Sequence, residues 1–349
     1  MKFEHFLYTG ILALLLVSCT TLPASQTATA PQNPSALAAP SSTAAKISPT
    51  TTAAVDTPTL APSETETLEA INPESAPSGT PAENTTIPSA TPSATPRPPL
   101  EPDEWKELPV IPTISASILA IYRRGMEKGK NPQAFSKIGD CGSTPAWFLG
   151  DFDRGPEFYS LGEYQHLDGA IRQFQDSFGR TSVAARSGFN TSSLFVTLWT
   201  DRSQCDSNET PLECELRVHR PIIAFITLGT NDVWHPEEFE AQMVKIIEYT
   251  IENGVIPVIS TKADNTEGDH YINATIAQLS YDYDIPLWNY WLAVQALPNQ
   301  GLQEDGSHLT WGRNFFDDPM VMEKAWPVRN LNALQLLDAI WQKIQNMEN

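Results

Sequence analysis

Apolar residues follow two different spacings along the C-terminal part of the chain, and these spacings predict alternating helices and strands. Helical spacing predicts helices over residues 114–128, 167–178, 236–253, 270–283 and 331–347. Short apolar runs predict strands over residues 134–138, 181–185, 221–228, 255–261 and 285–290. The run over 221–228 is continuous, as is typical of a strand that is buried on both faces. The alternation predicts an α/β domain with a mostly parallel sheet and helices on both of its faces.

The N-terminus has the pattern of a bacterial lipoprotein signal. Lys2 precedes an apolar run over residues 11–17, which is too short to span a bilayer as a permanent helix. The run ends in Leu16-Val17-Ser18-Cys19, which resembles the lipobox in which the Cys is acylated and becomes the mature N-terminus. We therefore expect residues 1–19 to be a signal segment with Cys19 as the lipid attachment residue. The protein is then exported and anchored in a membrane, at the outer side of a bacterial cell.

The next segment differs sharply in composition from the rest of the chain. Residues 20–103 are mostly Thr, Ser, Pro and Ala, with almost no aromatic or large aliphatic side chains. Such a segment cannot bury enough apolar surface to offset the entropy of ordering it, so we expect a disordered stalk stiffened by proline. Residues 104–349 then form one domain. The net charge of −20 leaves no basic surface for nucleic acid and excludes nucleic-acid binding.

The four cysteines have separate predicted roles. Cys205 and Cys214 flank a polar, turn-rich stretch, and in the oxidising environment outside the cytoplasm we expect them to form a disulfide. Cys19 is the predicted lipid attachment residue. Cys141 is therefore an unpaired thiol in an exported protein.

Three histidines, His235, His270 and His308, follow the ends of predicted strands, at the edge of a parallel sheet where ligands bind. Histidine is the natural general base near neutral pH. A turn after Asp305 can bring its carboxylate onto the imidazole of His308 and hold the ring in one tautomer. Asp232 and His235 have the same spacing, so spacing alone does not choose between the two pairs.

Four short blocks stand at successive strand ends of the predicted sheet. They are Gly139-Asp140-Cys141, Gly188, Gly229-Thr230-Asn231-Asp232 and Asp305-Gly306-Ser307-His308. In this order they resemble the four sequence blocks of the SGNH, or GDSL-like, hydrolases, and the resemblance extends over residues 135–309. It implies a flavodoxin-like, doubly wound sheet of five strands. It also implies that the protein is an enzyme that hydrolyses an ester bond, without a cofactor or a metal ion.

The resemblance also implies a role for each block. Cys141 takes the place of the nucleophile, and Asp305 and His308 complete a catalytic triad. Cys141, Gly188 and Asn231 form the oxyanion hole, with two backbone N–H groups and one side-chain amide. The family nucleophile is Ser, so Cys141 is a departure. We expect a helix N-terminus and a nearby His to lower the pKa of its thiol, which gives a Cys-His-Asp site for an ester or a thioester.

Three alternatives stay open. Ser143 or Thr144 can serve as the nucleophile in place of Cys141. Alternatively, the site has lost catalysis and the domain is a module that binds a ligand or a carbohydrate. The third alternative is a metal-dependent phosphoesterase, with candidate ligands Asp140, Asp232, His235, Asp264, Asp269, Asp305 and His308.

Other polar and aromatic residues near these blocks are candidate substrate contacts. The polar candidates are Asp140, Ser143, Asp232, Asp264, Asn265 and His270. Trp147, Trp234 and Trp311 lie near the site residues in sequence and can stack on a sugar ring. Together with the surface location, these tryptophans favour an acylated carbohydrate over a lipid as the substrate.

Overall fold

Parallel strands form the main sheet of the protein, whose computed structural model describes residues 98–348. In chain order the strands are β1 (Asn131–Gly139), β2 (Tyr159–Ser160), β3 (Pro221–Thr227), β4 (Ile256–Ser260), β5 (Leu287–Trp288) and β6 (Asn314–Phe315). The main sheet has the order β1-β3-β4-β5, and each neighbouring pair is parallel. Strands β2 and β6 pair separately. The predictions for the signal segment, for Cys19 and for residues 20–97 of the stalk lie outside the described residues.

The helices alternate with the strands of the main sheet. They are α1 (Ile118–Glu127), α2 (Asp168–Gln173), α3 (Pro211–Val218), α4 (Pro236–Glu252), α5 (Tyr271–Tyr283), α6 (Tyr290–Val294) and α7 (Ala325–Glu348). Helix α4 contacts α1 and α5, and helix α7 contacts α2 and α6. Across residues 98–348, none of these helices has the length and the apolar composition that crossing a bilayer requires. The α/β class and the parallel sheet predicted from the sequence are confirmed.

The second of the five predicted strands, over residues 181–185, is reduced to a single parallel bridge between Ala185 and Gly139. This bridge lies beside β1, at the position that completes a flavodoxin-like strand order. The segment does not continue as a strand because its amides are used elsewhere. The N–H of Val183 donates to Glu215 Oε2 at 3.0 Å, and the N–H of Ala184 donates to Ser182 Oγ at 3.1 Å.

Strand β3 forms the centre of the core, and all its residues are buried. The Phe225 ring packs edge-on against the rings of Phe135, Phe148 and Trp288, with centroids 5.7 to 5.9 Å apart. Burying a side chain of this size contributes roughly 1.5–3 kcal/mol. The strand ends that carry the candidate site residues therefore extend from a closely packed core.

Helix α3 was missed by the sequence analysis, which predicted only a turn-rich stretch there. It begins with a capping box, in which Thr210 Oγ1 accepts from the N–H of Glu213 and Glu213 Oε2 accepts from the N–H of Thr210. Pro211 occupies the first helical position, where its missing N–H costs nothing. Cys214 lies on this helix and forms the predicted disulfide with Cys205, with Cα atoms 5.4 Å apart.

Removing this disulfide is expected to lower the free energy of unfolding by about 2–3 kcal/mol, because the bridge restricts a short loop in the unfolded chain. The variant is Cys205→Ala/Cys214→Ala, and the measurement is guanidinium unfolding followed by circular dichroism. Cys141→Ala is the matched control, since it removes a thiol but no disulfide. Equal unfolding midpoints for the double variant and the parent would contradict the prediction.

Candidate active site

The loops after β1, β3 and β4 open onto one cavity of about 530 Å³. Residues from all four sequence blocks line this cavity. They include Cys141, Gly188, Asn231 and His308. The blocks therefore meet in space at the edge of the sheet where the resemblance to SGNH-like hydrolases places them.

The turn after β1 presents Cys141 to the cavity. A Cβ atom on Gly139 would lie 2.2 Å from Ser143 Oγ and 2.6 Å from the Thr227 carbonyl oxygen, so the strand can turn this tightly only at a glycine. One short 3₁₀ turn follows, Cys141–Ser143, and Asp140 caps it by accepting from the N–H of Gly142 at 2.8 Å. Asp140 lines the cavity, but this bond fixes its carboxylate to the turn.

The alternative nucleophiles are not available at the cavity. Ser143 is fully buried, and its hydroxyl lies 2.5 Å from that of Thr227. Thr144 Oγ1 donates to the carbonyl oxygen of Cys141 at 2.8 Å. Neither residue lines the cavity, so the predictions of Ser143 as a nucleophile or a substrate contact and of Thr144 as a nucleophile are wrong.

The Cys141 thiol is unpaired and half-buried. Burial raises its pKa above the ordinary value, and the Asp140 carboxylate raises it further. The expectation of a lowered pKa is therefore wrong. The short 3₁₀ turn does not provide the dipole of a long helix, and the Asp140 carboxylate acts on the thiol more strongly than the Arg329 guanidinium does. The group is a neutral thiol at neutral pH, so it needs a base to become a nucleophile.

Asp305 and His308 form the pair that the local turn predicts. His308 Nδ1 lies 2.7 Å from Asp305 Oδ2, and the His308 N–H donates to Asp305 Oδ1 at 2.9 Å. Backbone hydrogen bonds from His308 and Ser307, followed by the imidazole, lower the pKa of Asp305 to about 2. The carboxylate is thus ionised at any pH near neutral and keeps the proton on Nδ1, which leaves Nε2 as the basic nitrogen.

The thiol and the imidazole face the same cavity without touching. In the part of the chain that the structure describes, no hydrogen bond joins Cys141 Sγ to His308, and the imidazole is not among the groups that shift the thiol pKa. His308 is well exposed, with 64% of its side chain accessible. In structures without substrate, the distance between a nucleophile and its base is often longer than in the complex with substrate.

Three hydrogen-bond donors at the cavity are suited to binding an oxyanion. No backbone carbonyl among residues 98–348 accepts from the N–H groups of Cys141 and Gly188. Gly188 has φ +82°, and a Cβ atom there would meet open space, so the glycine is required by the backbone conformation. Asn231 donates one amide hydrogen to the carbonyl oxygen of Phe189 at 2.9 Å, which leaves the second hydrogen for a ligand.

Asp232 and His235, the pair with the same spacing, do not form a dyad. Asp232 is buried and accepts from the N–H and the hydroxyl of Thr191, at 2.9 and 2.5 Å. His235 is exposed and lies beside Glu237, 3.7 Å away. Asp232 does not line the cavity, so its prediction as a substrate contact is wrong. It holds the loop around Gly188 in place instead.

Asp264 lines the cavity, but its carboxylate is already bound by the protein. Its oxygens accept from Lys262 Nζ at 2.7 Å and from Thr230 Oγ1 at 2.8 Å. Burial acts to raise the pKa of Asp264, but the Lys262 ammonium holds that pKa below its ordinary value. Lys262 also pairs with Glu267 at 2.5 Å. This cluster fixes the loop that carries Asn231.

Asn265 and His270 lie outside the cavity, contrary to their prediction as substrate contacts. Asn265 Oδ1 accepts from the backbone N–H of His270 at 2.9 Å. The His270 ring packs between Trp105 and Trp291, at 5.7 Å from each centroid, and burial lowers its pKa. These two residues shape the start of α5 rather than the site.

The candidate metal ligands of a phosphoesterase do not converge on one point. Among residues 98–348, the one group of at least three His, Cys, Asp or Glu side chains with converging ligand atoms consists of Cys205, Glu209 and Cys214. Two of these three are joined in the disulfide. The seven candidate ligands named from the sequence form no such group.

The lining residues that sequence reasoning did not single out include Trp326 and Arg329, both on α7. The Trp147 ring stacks on that of Trp326, with centroids 5.7 Å apart and planes inclined by 22°. Of the tryptophans considered for sugar stacking, Trp147 lines the cavity, whereas the exposed Trp234 and Trp311 do not.

Comparisons with known proteins find similarity to solved structures of ester hydrolases. A catalytic mutant of an acetylxylan esterase from Geobacillus stearothermophilus is 14% identical, covering 60% of this chain and 95% of that chain with a TM-score of 0.38. A GDSL-like lipase from Bacteroides thetaiotaomicron is 14% identical, covering 64% and 99% with a TM-score of 0.36. A psychrotrophic esterase from Pseudoalteromonas sp. is 15% identical, covering 62% and 100% with a TM-score of 0.34. No family model matches the chain, and no curated protein matches it.

Proposed function

We propose that this protein hydrolyses an ester or a thioester by acyl transfer through Cys141. One observation carries the proposal: a single cavity is lined by a free thiol, an imidazole that a carboxylate orients, and donors suited to an oxyanion. A nucleophile, a base with its orienting group, and preorganised donors are the groups that acyl transfer requires.

The first half of the reaction forms an acyl-enzyme. His308 Nε2 takes the proton of the Cys141 thiol as the sulfur attacks the carbonyl carbon of the substrate. The carbonyl oxygen becomes negative and is bound by the N–H groups of Cys141 and Gly188 and by the Asn231 amide. The C–O bond of the ester, or the C–S bond of a thioester, then breaks. The leaving alcohol or thiol takes the proton from His308, and a thioester remains on Cys141.

The second half restores the enzyme by hydrolysis. A water molecule gives a proton to His308 Nε2 and attacks the thioester carbonyl carbon, while the same donors bind the oxyanion. The C–S bond breaks, and the sulfur recovers the proton from the imidazole. Asp305 keeps its charge throughout and stabilises the imidazolium that forms in each half.

The proposal includes a place of action and a substrate class. The lipobox-like sequence around Cys19 favours an anchor at the outer side of a bacterial membrane, and the Cys205–Cys214 disulfide suits an oxidising compartment. Trp147 at the cavity provides a flat apolar surface against which a sugar ring can stack. An acylated carbohydrate is therefore the substrate class that we propose.

The experiment that tests this function is a hydrolysis panel with the purified protein. The panel contains 4-nitrophenyl acetate, S-phenyl thioacetate and acetylated methyl glycosides, with product release as the readout. We expect turnover of at least one class by the parent and none by Cys141→Ala. Equal turnover by the parent and by Cys141→Ala would overturn the proposal.

Replacing Asn231 with Ala is expected to lower kcat/KM about 10²–10³-fold, because one oxyanion donor is lost. Asn208→Ala is the matched control, since Asn208 is an exposed asparagine away from the cavity. The midpoint of thermal unfolding must be compared as well, because Asn231 also bonds to Phe189. A folded Asn231→Ala variant with the parent's kcat/KM would exclude this donor from the reaction.

A second function, ligand binding without turnover, is favoured by one observation. The thiol pKa is raised and the sulfur has no hydrogen bond to His308 within residues 98–348. Under this alternative the parent is inactive on the panel while Cys141→Ser is active, because a hydroxyl restores the family's usual nucleophile. The panel therefore separates the two functions.

A further inference from the structure

Arg329 lies in the wall of the cavity inside a cage of aromatic rings. Its Cζ atom is 5.1 Å from the Phe148 centroid, 5.5 Å from that of Trp288, 5.2 Å from that of Tyr290 and 5.4 Å from that of Trp326. The rings of Phe148, Trp288 and Tyr290 are fully buried, so the cage holds the guanidinium in one place. A guanidinium is attracted to the faces of such rings, although they accept no strong hydrogen bond.

The guanidinium forms no salt bridge in the described chain, although the Asp140 carboxyl lies near enough for each group to shift the pKa of the other. Its Nε is buried without a hydrogen-bond partner, and none of the ion pairs within residues 98–348 includes it. A guanidinium offers five N–H donors in a planar fork that fits a carboxylate. Leaving a buried charged donor unpaired is costly, so an anion in the cavity would stabilise the arrangement.

Among the described residues that line the cavity, Arg329 is a cation without a salt bridge. The other cation in its wall, Lys262, already pairs with Asp264 and Glu267. Burial lowers the pKa of Arg329, while Tyr290 and then Asp140 act in the opposite direction, and the group stays charged at neutral pH. The side chain is close enough to the nucleophile for the charge state of Cys141 to affect its pKa.

We propose that Arg329 binds a carboxylate of the substrate beside the scissile bond, so that the site selects anionic esters. The proposal deepens the ester hydrolase function and rests on it. A carboxylate can belong to the acyl part, as in a hemisuccinate ester, or to the alcohol part, as in an acetylated uronic acid. Both present the same group to the guanidinium, and the two arms of the experiment distinguish them.

Each arm of the experiment compares an anionic ester with a neutral one of similar shape. The acyl arm uses 4-nitrophenyl hemisuccinate against 4-nitrophenyl butyrate, and the alcohol arm uses 4-acetoxybenzoate against its methyl ester. The readout is the ratio of kcat/KM within each pair. We expect the parent to favour the anionic ester in one arm, and Arg329→Gln to lower that ratio about ten- to a hundredfold.

Arg313→Gln is the matched control, since Arg313 is an exposed arginine against the Phe315 ring and does not line the cavity. It removes the same charge from the chain and should keep the parent's ratio. Arg329→Lys keeps the charge without the fork and should give an intermediate ratio. The parent's ratios need no variant, so the proposal stays testable if Arg329→Gln fails to fold. Ratios near one in both arms of the parent overturn it.

A binding measurement separates the failure of this proposal from the failure of the proposed function. Succinamate and butyramide are amide analogues of the acyl pair, and 4-acetamidobenzoate and 4-acetamidobenzamide are those of the alcohol pair. Calorimetry with the parent should show tighter binding of the anionic analogue in one pair, and Arg329→Gln should lose that preference. Such binding without any ester turnover refutes the hydrolase and keeps the anion site. Turnover without any preference for charge keeps the hydrolase and refutes the anion site.

Discussion

Cys141→Ala is expected to lower ester turnover by about 10⁴-fold or more while the fold is preserved. The sulfur is an unpaired nucleophile at the cavity wall, and neither Ser143 nor Thr144 lines the cavity. Its half-buried position means that Ala leaves little empty space. The measurement is kcat/KM on the best ester of the panel, with near-ultraviolet circular dichroism as the check of folding.

Two further variants make this prediction specific. Cys141→Ser should keep part of the esterase activity, because the oxyanion donors and the His308 base stay in place. Ser143→Ala should leave the turnover of the folded protein nearly unchanged, although it removes the hydrogen bond to Thr227. Normal activity in Cys141→Ala together with a loss in Ser143→Ala would move the nucleophile two residues along the chain.

His308→Ala is expected to cost nearly as much activity as Cys141→Ala, because a thiol with a raised pKa reacts only when a base removes its proton. The double variant should be hardly worse than either single one, since members of a catalytic unit fail together. Asp305→Asn should lower turnover as well, because an amide cannot hold the imidazole in the same tautomer and charge state.

His235→Ala is the matched control for His308. His235 is also exposed and also follows an Asp by three residues, but it lies outside the cavity. The pH profile is a second check. Asp305, with a pKa of about 2, should cause no loss of activity between pH 5 and pH 9, because it stays ionised there. Activity that survives in His308→Ala and falls in His235→Ala would refute the dyad.

Sequence patterns identified the parts of this site that depend on local geometry. The hydrogen bond between Asp305 and His308 forms within one turn, so the spacing and the turn residues were enough to predict it. The same spacing at Asp232 and His235 gives no pair, because Thr191, distant in sequence, takes the Asp232 carboxylate. The choice between the two pairs came from the resemblance, not from the spacing.

The features that depend on long-range packing were not predictable in this way. The surroundings of Arg329 come from Phe148, Trp288 and Tyr290, which lie far from it in the chain. The shift of the Cys141 pKa was predicted in the wrong direction. Burial and the Asp140 carboxylate raise this pKa, and they have a larger effect than the backbone of the short turn, which lowers it. Helix α3 differs from these features, because its capping box of Thr210 and Glu213 is a local pattern from which the start of a helix can be predicted.

The strand predictions show the same division between local and distant effects. The continuous apolar run over 221–228 became β3, because a strand buried on both faces needs apolar residues at every position. The segment over 181–185 is also predicted as a strand but forms one bridge, because the distant Glu215 carboxylate binds the amide of Val183. A pattern of apolar residues carries no information about such a partner.

The most direct test of acyl transfer is to find the acyl group on the protein. The parent is mixed with 4-nitrophenyl acetate, quenched with acid within one turnover, and digested for peptide mass mapping, with His308→Ala treated in parallel. We expect an acetyl group on Cys141 in the parent and none there in His308→Ala. Acetyl on Ser143 or Thr144, or an active parent whose Cys141 is never acetylated, would contradict the account.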